Sequence, residues 1–314
     1  MASCSEEGLT AAPPQRVFDS HIHLAVDWRE GEGGLPNEWL PNQPTAFHRN
    51  WTEADMLALS EESGGAFQVV GAVYVECFNR PALEEARWAL RMADDPSSVV
   101  EAVVAHIPVP DGGAAVRAFL DALRENGEEG KRLPRRLRGG RVVLFGHPPD
   151  HCATSQKYAE GLRELRRSGE GRLLWEWCCW PACLPFVADV CERFPDVTFV
   201  LDHLGLNQGG DDFETWAPAL ADLARRCPNV VAKLGAIEEW GLATTEPGAY
   251  LDHALATFGL GRVLAESNWF VSSGMGAAYD YTFRQAQAAL ARAGATPNQV
   301  QDVFENNARR TYGV

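Results

Sequence analysis

A single (β/α)8 barrel is the fold class that the sequence predicts, and three observations carry it. Short β-branched runs alternate with helical stretches eight times along the chain. Several runs, such as Val69-Val70-Gly71-Ala72-Val73, are apolar throughout, as strands buried on both faces of a parallel sheet are. The 314 residues show no break in composition, and one barrel needs about 250. A doubly wound open sheet has the same alternation. No Gly-x-Gly-x-x-Gly or Gly-x-x-x-x-Gly-Lys-Ser/Thr follows a strand, which argues against its nucleotide-binding versions.

Residues 1–15 carry Glu6, Glu7, Pro13 and Pro14, with neither a basic start nor an apolar stretch, so they read as a short disordered tail and not a secretory signal. The barrel is expected over 16–314, with strands over 17–24, 67–75, 99–107, 137–145, 173–178, 197–203, 230–234 and 262–268. A long loop over 25–51, holding Trp28, Trp39, Pro36, Pro41 and Pro44, follows the first strand and should lie on the rim that carries function. Helices fit 52–62, with Thr52 as N-cap, and 82–93, opened by Pro81. Further helices fit 114–126, 156–168, 184–194, 214–226, 249–258 and 281–293. A C-terminal helix starts at Thr296, where Gln299 completes a capping box and Pro297 suits the first turn.

Composition narrows the partners. The net charge of −15 argues against nucleic acid or an anionic membrane, since both need a positive field. No apolar run reaches the about 18 residues of a membrane span. Eight cysteines without a Cys-x-x-Cys pair read as buried thiols in a reducing cytoplasm; the cluster Cys178, Cys179, Cys183 and Cys191 is not a zinc knot. A small-molecule substrate remains. Oligomeric state is not set by the sequence.

Chemistry gathers at the predicted strand ends. Asp19, His21 and His23 alternate along the first strand and so share a face, which in a barrel is the lumen. Asp202-His203-Leu204-Gly205 ends the sixth strand, Lys233-Leu234-Gly235 the seventh and Glu266-Ser267-Asn268-Trp269 the eighth. Arg138-Gly139-Gly140-Arg141 opens the fourth, and Glu76 ends the second.

From Phe18 to Tyr312 these motifs resemble, in order, the lactonase-like branch of the amidohydrolase superfamily: Asp-x-His-x-His, Asp-His-x-Gly, Lys-Leu-Gly, Ser-Asn-Trp and Asn-Ala-Arg-Arg-x-Tyr. The branch includes 2-pyrone-4,6-dicarboxylate lactonase and fuconolactonase-like proteins. The resemblance implies a barrel hydrolase in which His21 and His23 match the first-strand pair and His203 the sixth-strand histidine. Arg141 matches a fourth-strand arginine that holds a substrate carboxylate. Asn268 stands where many relatives have an aspartate that serves as metal ligand or base, and an amide can be neither a base nor a good ligand. Phe270 stands where the family often has proline.

Water then needs another activator. Glu266, two residues before Asn268, would share its face about 6–7 Å deeper; His203 and Glu76 are the other choices. The expected catalytic set is His21, His23, His203, Asn268 and Glu266, with Arg141, Glu76 and Lys233 holding substrate, and Trp28, Trp39 and Trp180 as pocket walls. The expected reaction adds water to a cyclic ester or related carbonyl of a small polar or acidic metabolite, with His21 and His23 stabilising the oxyanion. Alternatives are a metal-dependent C–N hydrolase, a non-oxidative decarboxylase and a silent metabolite-binding barrel. No organic cofactor is expected. One divalent metal, zinc, would use His21, His23 and His203, weakly or not at all, because the acidic fourth ligand is lost.

Overall fold

The computed structural model describes residues 13–29, 34–62, 65–127, 130–206, 213–240 and 247–314. Eight parallel strands follow one another around a nearly closed barrel: β1 (Gln15–Ile22), β2 (Phe67–Val75), β3 (Val100–Ala105), β4 (Leu137–Val143), β5 (Leu174–Cys178), β6 (Phe199–Leu201), β7 (Val230–Leu234) and β8 (Val263–Ala265). Each is followed by a helix on the outside: α1 (Glu53–Glu62), α2 (Ala82–Ala93), α3 (Gly113–Leu123), α4 (Gln156–Ser168), α5 (Leu184–Arg193), α6 (Phe213–Arg226), α7 (Pro247–Phe258) and α8 (Tyr281–Arg292). A small antiparallel ribbon, Glu125–Gly127 with Gly130–Arg132, stands between α3 and β4 where the third helix was expected to continue. Residues 1–12 of the expected tail lie outside the described residues, and Gln15 opens β1 instead of ending that tail.

The predicted helix starts are made as the sequence suggests. The Asp55 amide donates to Thr52 Oγ1 at 3.1 Å while Asp55 Oδ2 accepts from the Thr52 amide at 3.1 Å, a reciprocal cap on α1. The Thr296–Gln299 capping box is present, with Pro297 in the first turn. Strands β1, β3, β4, β6 and β8 end earlier than expected. After β6 and β8 the backbone turns left-handed at His203 (φ 54°), Leu204 (φ 57°) and Asn268 (φ 54°), which no strand can accommodate.

Period-two alternation stacks the lumen in layers. Along β5, Leu174 lies in a deep apolar layer with Phe18, Val73, Val104, Val200 and Leu264. Glu176 lies one step up and is fully buried, and Cys178 reaches the cavity above. The same three steps run Leu264, Glu266, Asn268 through β8 and beyond it. Gly235, just past β7, keeps that column open, since a Cβ there would fall 2.1 Å from Glu266 Cγ. Ala308 and Tyr312 of the C-terminal helix pack under the apolar layer and close the bottom.

Side chains complete the seam between β8 and β1. Ser20 Oγ donates to the Ala265 carbonyl at 2.8 Å, and Asp19 accepts from the Ser267 amide at 2.9 Å and from Tyr279 Oη at 2.8 Å. Burial pushes the Asp19 carboxyl up to about 6, against the hydrogen bonds from Ser267, Tyr279 and His21. An acid whose folded pKa lies above its unfolded value of 3.8 costs stability as pH rises through that interval. Asp19→Asn keeps an oxygen for the two amides and removes this titration. Urea unfolding at pH 4 and pH 7 should therefore show the parent losing up to about 3 kcal/mol relative to the variant on going to the higher pH. A parent-to-variant difference that does not change with pH would contradict this reading of the seam.

Candidate active site

Above the deep apolar layer the barrel holds ions. Lys233 of β7 is fully buried, and its ammonium donates to Glu176 Oε2 at 2.7 Å and stands 3.0 Å from Asp202 Oδ1 and 3.1 Å from His21 Nδ1. Arg141 of β4 donates from Nε to Glu76 Oε1 at 3.0 Å, from Nη2 to the Glu76 carbonyl at 2.6 Å and from Nη1 to Asp202 Oδ2 at 3.3 Å. Tyr312 reaches up from the C-terminal helix and donates to Glu176 Oε1 at 2.5 Å. A buried carboxylate is tolerable only when paired and hydrogen-bonded, and the two cations supply that pairing.

The charges follow from this arrangement. Burial alone would push Asp202 up, but Lys233, His21 and Arg141 hold it well below the usual carboxylate range. Glu76 is held low by Arg141 in the same way. Burial wins at Glu176, which is pushed up to about 7 despite Lys233. Glu266 stays ionised, brought down to about 2 against burial by His203 and His21.

Three histidines meet on top of this layer. His21 and His23 approach Nε2 to Nε2 at 3.0 Å, and the His21 and His203 ring centroids are 4.6 Å apart. Burial and the Lys233 charge bring His21 down to about 4, and burial with His21 and Arg141 holds His23 well below its usual value, so both rings are neutral at pH 7. The tautomer of His23 follows from its anchor. His23 Nδ1 lies 2.8 Å from the Val75 carbonyl, which can only accept, so the proton sits on Nδ1 and Nε2 is bare. Each His21 nitrogen faces both a donor and an acceptor: Nδ1 is 3.1 Å from the Lys233 ammonium and 3.2 Å from Glu266 Oε2, and Nε2 is 3.3 Å from Arg141 Nη1 and 3.0 Å from His23 Nε2. His203 donates from Nδ1 to Glu266 Oε1 at 2.8 Å, so Nε2 is its basic nitrogen.

A cavity of about 430 Å³ opens over these rings. His23, Arg141, His203 and Asn268 form its polar floor, and Trp39, Phe47, Phe78, Phe145, Phe270 and Met275 its walls. The long loop after β1 supplies Trp39, Gln43, Pro44 and Phe47, held by the antiparallel bridge between Ala25 and Trp51. Trp28 and Trp180 are not walls: the Trp28 indole donates to the Arg49 carbonyl, and Trp180 stacks behind Phe145 at 5.4 Å. His21, Glu76, Lys233 and Glu266 are fully buried and lie beneath the residues that line the cavity. Glu176, Asp202 and Tyr312 join the ionic layer without having been singled out from the sequence. The signal was there for Glu176, an acid inside the apolar run Leu-Trp-Glu-Trp-Cys, and for Asp202, next to His203.

Among the described residues, two groups bring three candidate ligand atoms within 4.8 Å: His21, His203 and Glu266, and His21, Glu176 and Asp202. The Lys233 ammonium already stands among the three members of the second group. In the first, His203 Nδ1 and Glu266 Oε1 are taken up with each other at 2.8 Å. An ion at the usual about 2.0–2.1 Å from His21 Nε2 would also crowd the Arg141 guanidinium, whose Nη1 is 3.3 Å from that nitrogen. Cys178 at the end of β5 and Cys179, Cys183 and Cys191 after it are buried, and none is in a disulfide.

The Amidohydrolase family model matches residues 18–314. Among solved structures, the chain is similar to Amidohydrolase 2 from Bifidobacterium longum subsp. infantis, with 26% identity and a TM-score of 0.68 over 96% of this chain and 99% of that one. It shares its fold with an amidohydrolase from Burkholderia multivorans crystallised with zinc, at 21% identity and a TM-score of 0.74 over 95% of this chain and 99% of that one. It also shares it with a protein from Pseudomonas putida described as a 2-pyrone-4,6-dicarboxylic acid hydrolase, at 17% identity and a TM-score of 0.65 over 95% of this chain and 98% of that one. Among curated proteins no sequence matches this chain.

Removing one member of a buried charge cluster leaves the others without compensation. Lys233→Met should therefore lower stability by about 3–5 kcal/mol in urea unfolding at pH 7. A loss below about 1 kcal/mol would show that the ammonium does not hold Asp202 and Glu176 in place.

Proposed function

Because the chain belongs to the amidohydrolase family, we propose that it is a hydrolase of lactonase type, adding water to the carbonyl of a cyclic ester without a bound metal. The observation that carries this reading is the pair formed by His203 and Glu266: a carboxylate 2.8 Å from Nδ1 fixes the tautomer of a histidine that lines the cavity. Such a pair takes the place of the missing aspartate. Asn268 lines the same floor, and its amide can orient a carbonyl or a water but cannot take a proton.

The steps follow from the floor residues. Arg141 has five N–H donors, of which three are bound to Glu76 and Asp202 and a fourth is directed at His21 Nε2, so one, on Nη2, remains for a ligand oxygen. The lactone carbonyl oxygen lies against it. His203 Nε2 takes a proton from water as the water oxygen bonds to the carbonyl carbon, and Glu266 stabilises the imidazolium. The oxyanion keeps the hydrogen bond that the carbonyl oxygen accepted from Arg141, an N–H held in place before the reaction begins. His23 Nε2 is an acceptor in its tautomer, so the histidine pair is not the oxyanion donor. Collapse of the tetrahedral intermediate breaks the ring C–O bond, His203 returns its proton to the leaving oxygen, and a hydroxy acid results.

A panel of five- and six-membered lactones assayed by acid release tests the reading. His203→Asn should lower kcat/KM by about 10²–10⁴, the scale of a lost general base, with the fold retained by circular dichroism. Glu266→Gln should lower it in the same direction. A panel on which no lactone is opened, or a His203→Asn variant at the parent's rate, would remove the proposal.

Dialysis of the parent against EDTA should leave its lactonase rate within about twofold, since no step needs an ion. Loss of the rate with recovery on adding zinc would contradict the metal-free floor.

A further inference from the structure

The cavity walls carry information about the substrate that the reaction does not. They are made by Trp39, Phe78, Phe145 and Phe270, and Met275 stands at 51% exposure as the exposed large hydrophobic side chain among the described residues. Among the described residues lining the cavity there is no serine, threonine or tyrosine hydroxyl, and Arg141 is the one lysine or arginine. Read as sequence alone, residues 30–33, 207–212 and 241–246 hold no lysine or arginine either.

Arg141 is poorly suited to receive a second anion. Its guanidinium is 3.0 Å from a Glu76 oxygen and 3.3 Å from an Asp202 oxygen, both buried, so its charge is already matched. Glu238 adds a further carboxyl group to the lining. A substrate carboxylate entering here would give up its water and meet a guanidinium shared with two carboxylates, and an incompletely paired buried charge is costly. The chain's net charge of −15 opposes the approach of an anion from a distance as well. An uncharged molecule with an apolar body meets none of these penalties and gains contact with aromatic walls.

We infer that this cavity takes a neutral carbonyl compound with an aromatic or alkyl body, and discriminates against the carboxylate-bearing and hydroxyl-rich rings expected from the sequence. The inference deepens the hydrolytic reading by naming its substrate class, and it rests on that reading only for what happens after binding. It accounts for an arginine that orients a carbonyl oxygen through its one remaining donor without serving as an anchor for acids.

Binding, measured apart from turnover, tests it. Two unreactive lactam probes suffice: a six-membered lactam fused to benzene, and the same lactam bearing a ring carboxylate. Each is titrated into the full-length protein by calorimetry at pH 7.5, with tryptophan fluorescence as a second signal because Trp39 lines the cavity. The neutral lactam should bind at least about tenfold tighter than its carboxylate. Equal or tighter binding of the carboxylate would overturn the inference, and so would binding of neither. The corresponding neutral lactone is then assayed for opening. Tight binding of the neutral lactam with no opening of the lactone would sink the hydrolytic reading and leave the substrate class standing.

Discussion

Charge balance in one buried layer governs this barrel. Lys233 and Arg141 sit among Glu76, Glu176, Asp202 and Glu266, all in a region closed to water below by the apolar layer and Tyr312. Each carboxylate is expensive to bury alone and tolerable beside a cation or a donor. The cations in turn stay charged because the acids outweigh their burial: burial would lower Lys233, yet Asp202 and Glu176 raise it above its usual value. Every strand contributes to the layer or to the histidines above it, or leads into a turn that does, β3 through His106, whose Nδ1 stands 3.6 Å from Glu76 Oε2, so barrel geometry and charge balance hold each other.

The state of the floor follows from that balance. A neutral His21 stands between Lys233 and His23, His23 takes its orientation from the Val75 carbonyl, and His203 takes its orientation from Glu266. The two cations beneath and at the floor are therefore built into the protein, each matched by carboxylates. Arg141 is an element of that ionic layer and also lines the cavity.

Much of this frame was legible in the chain. The apolar runs gave all eight strands, and the caps at Thr52 and Thr296 formed because capping needs only residues three apart. The His-x-His and Asp-His pairs announced the rim by their place at strand ends. What stayed hidden depends on residues far apart in sequence. Arg141 and Glu76 are separated by 65 positions, and Tyr312 and Glu176 by 136, so nothing local marked either pair. The strand ends were overrun because a left-handed residue such as His203 or Asn268 leaves no mark in hydrophobic periodicity. The loop over 25–51 was legible as rim, but which of its tryptophans face the cavity depends on the packing of Trp28 beneath Arg49 and of Trp39 against Phe47.

Nitrogen-15 NMR of the protein labelled at histidine, recorded near pH 7, measures the central claim directly. Ring nitrogen shifts report both the charge of each imidazole and which nitrogen carries the proton. The account requires neutral rings at His21 and His23, with the proton on Nδ1 of His23, and a proton on Nδ1 of His203. An imidazolium at His21, or the opposite tautomer at His23, would show that the buried layer does not set the site as described.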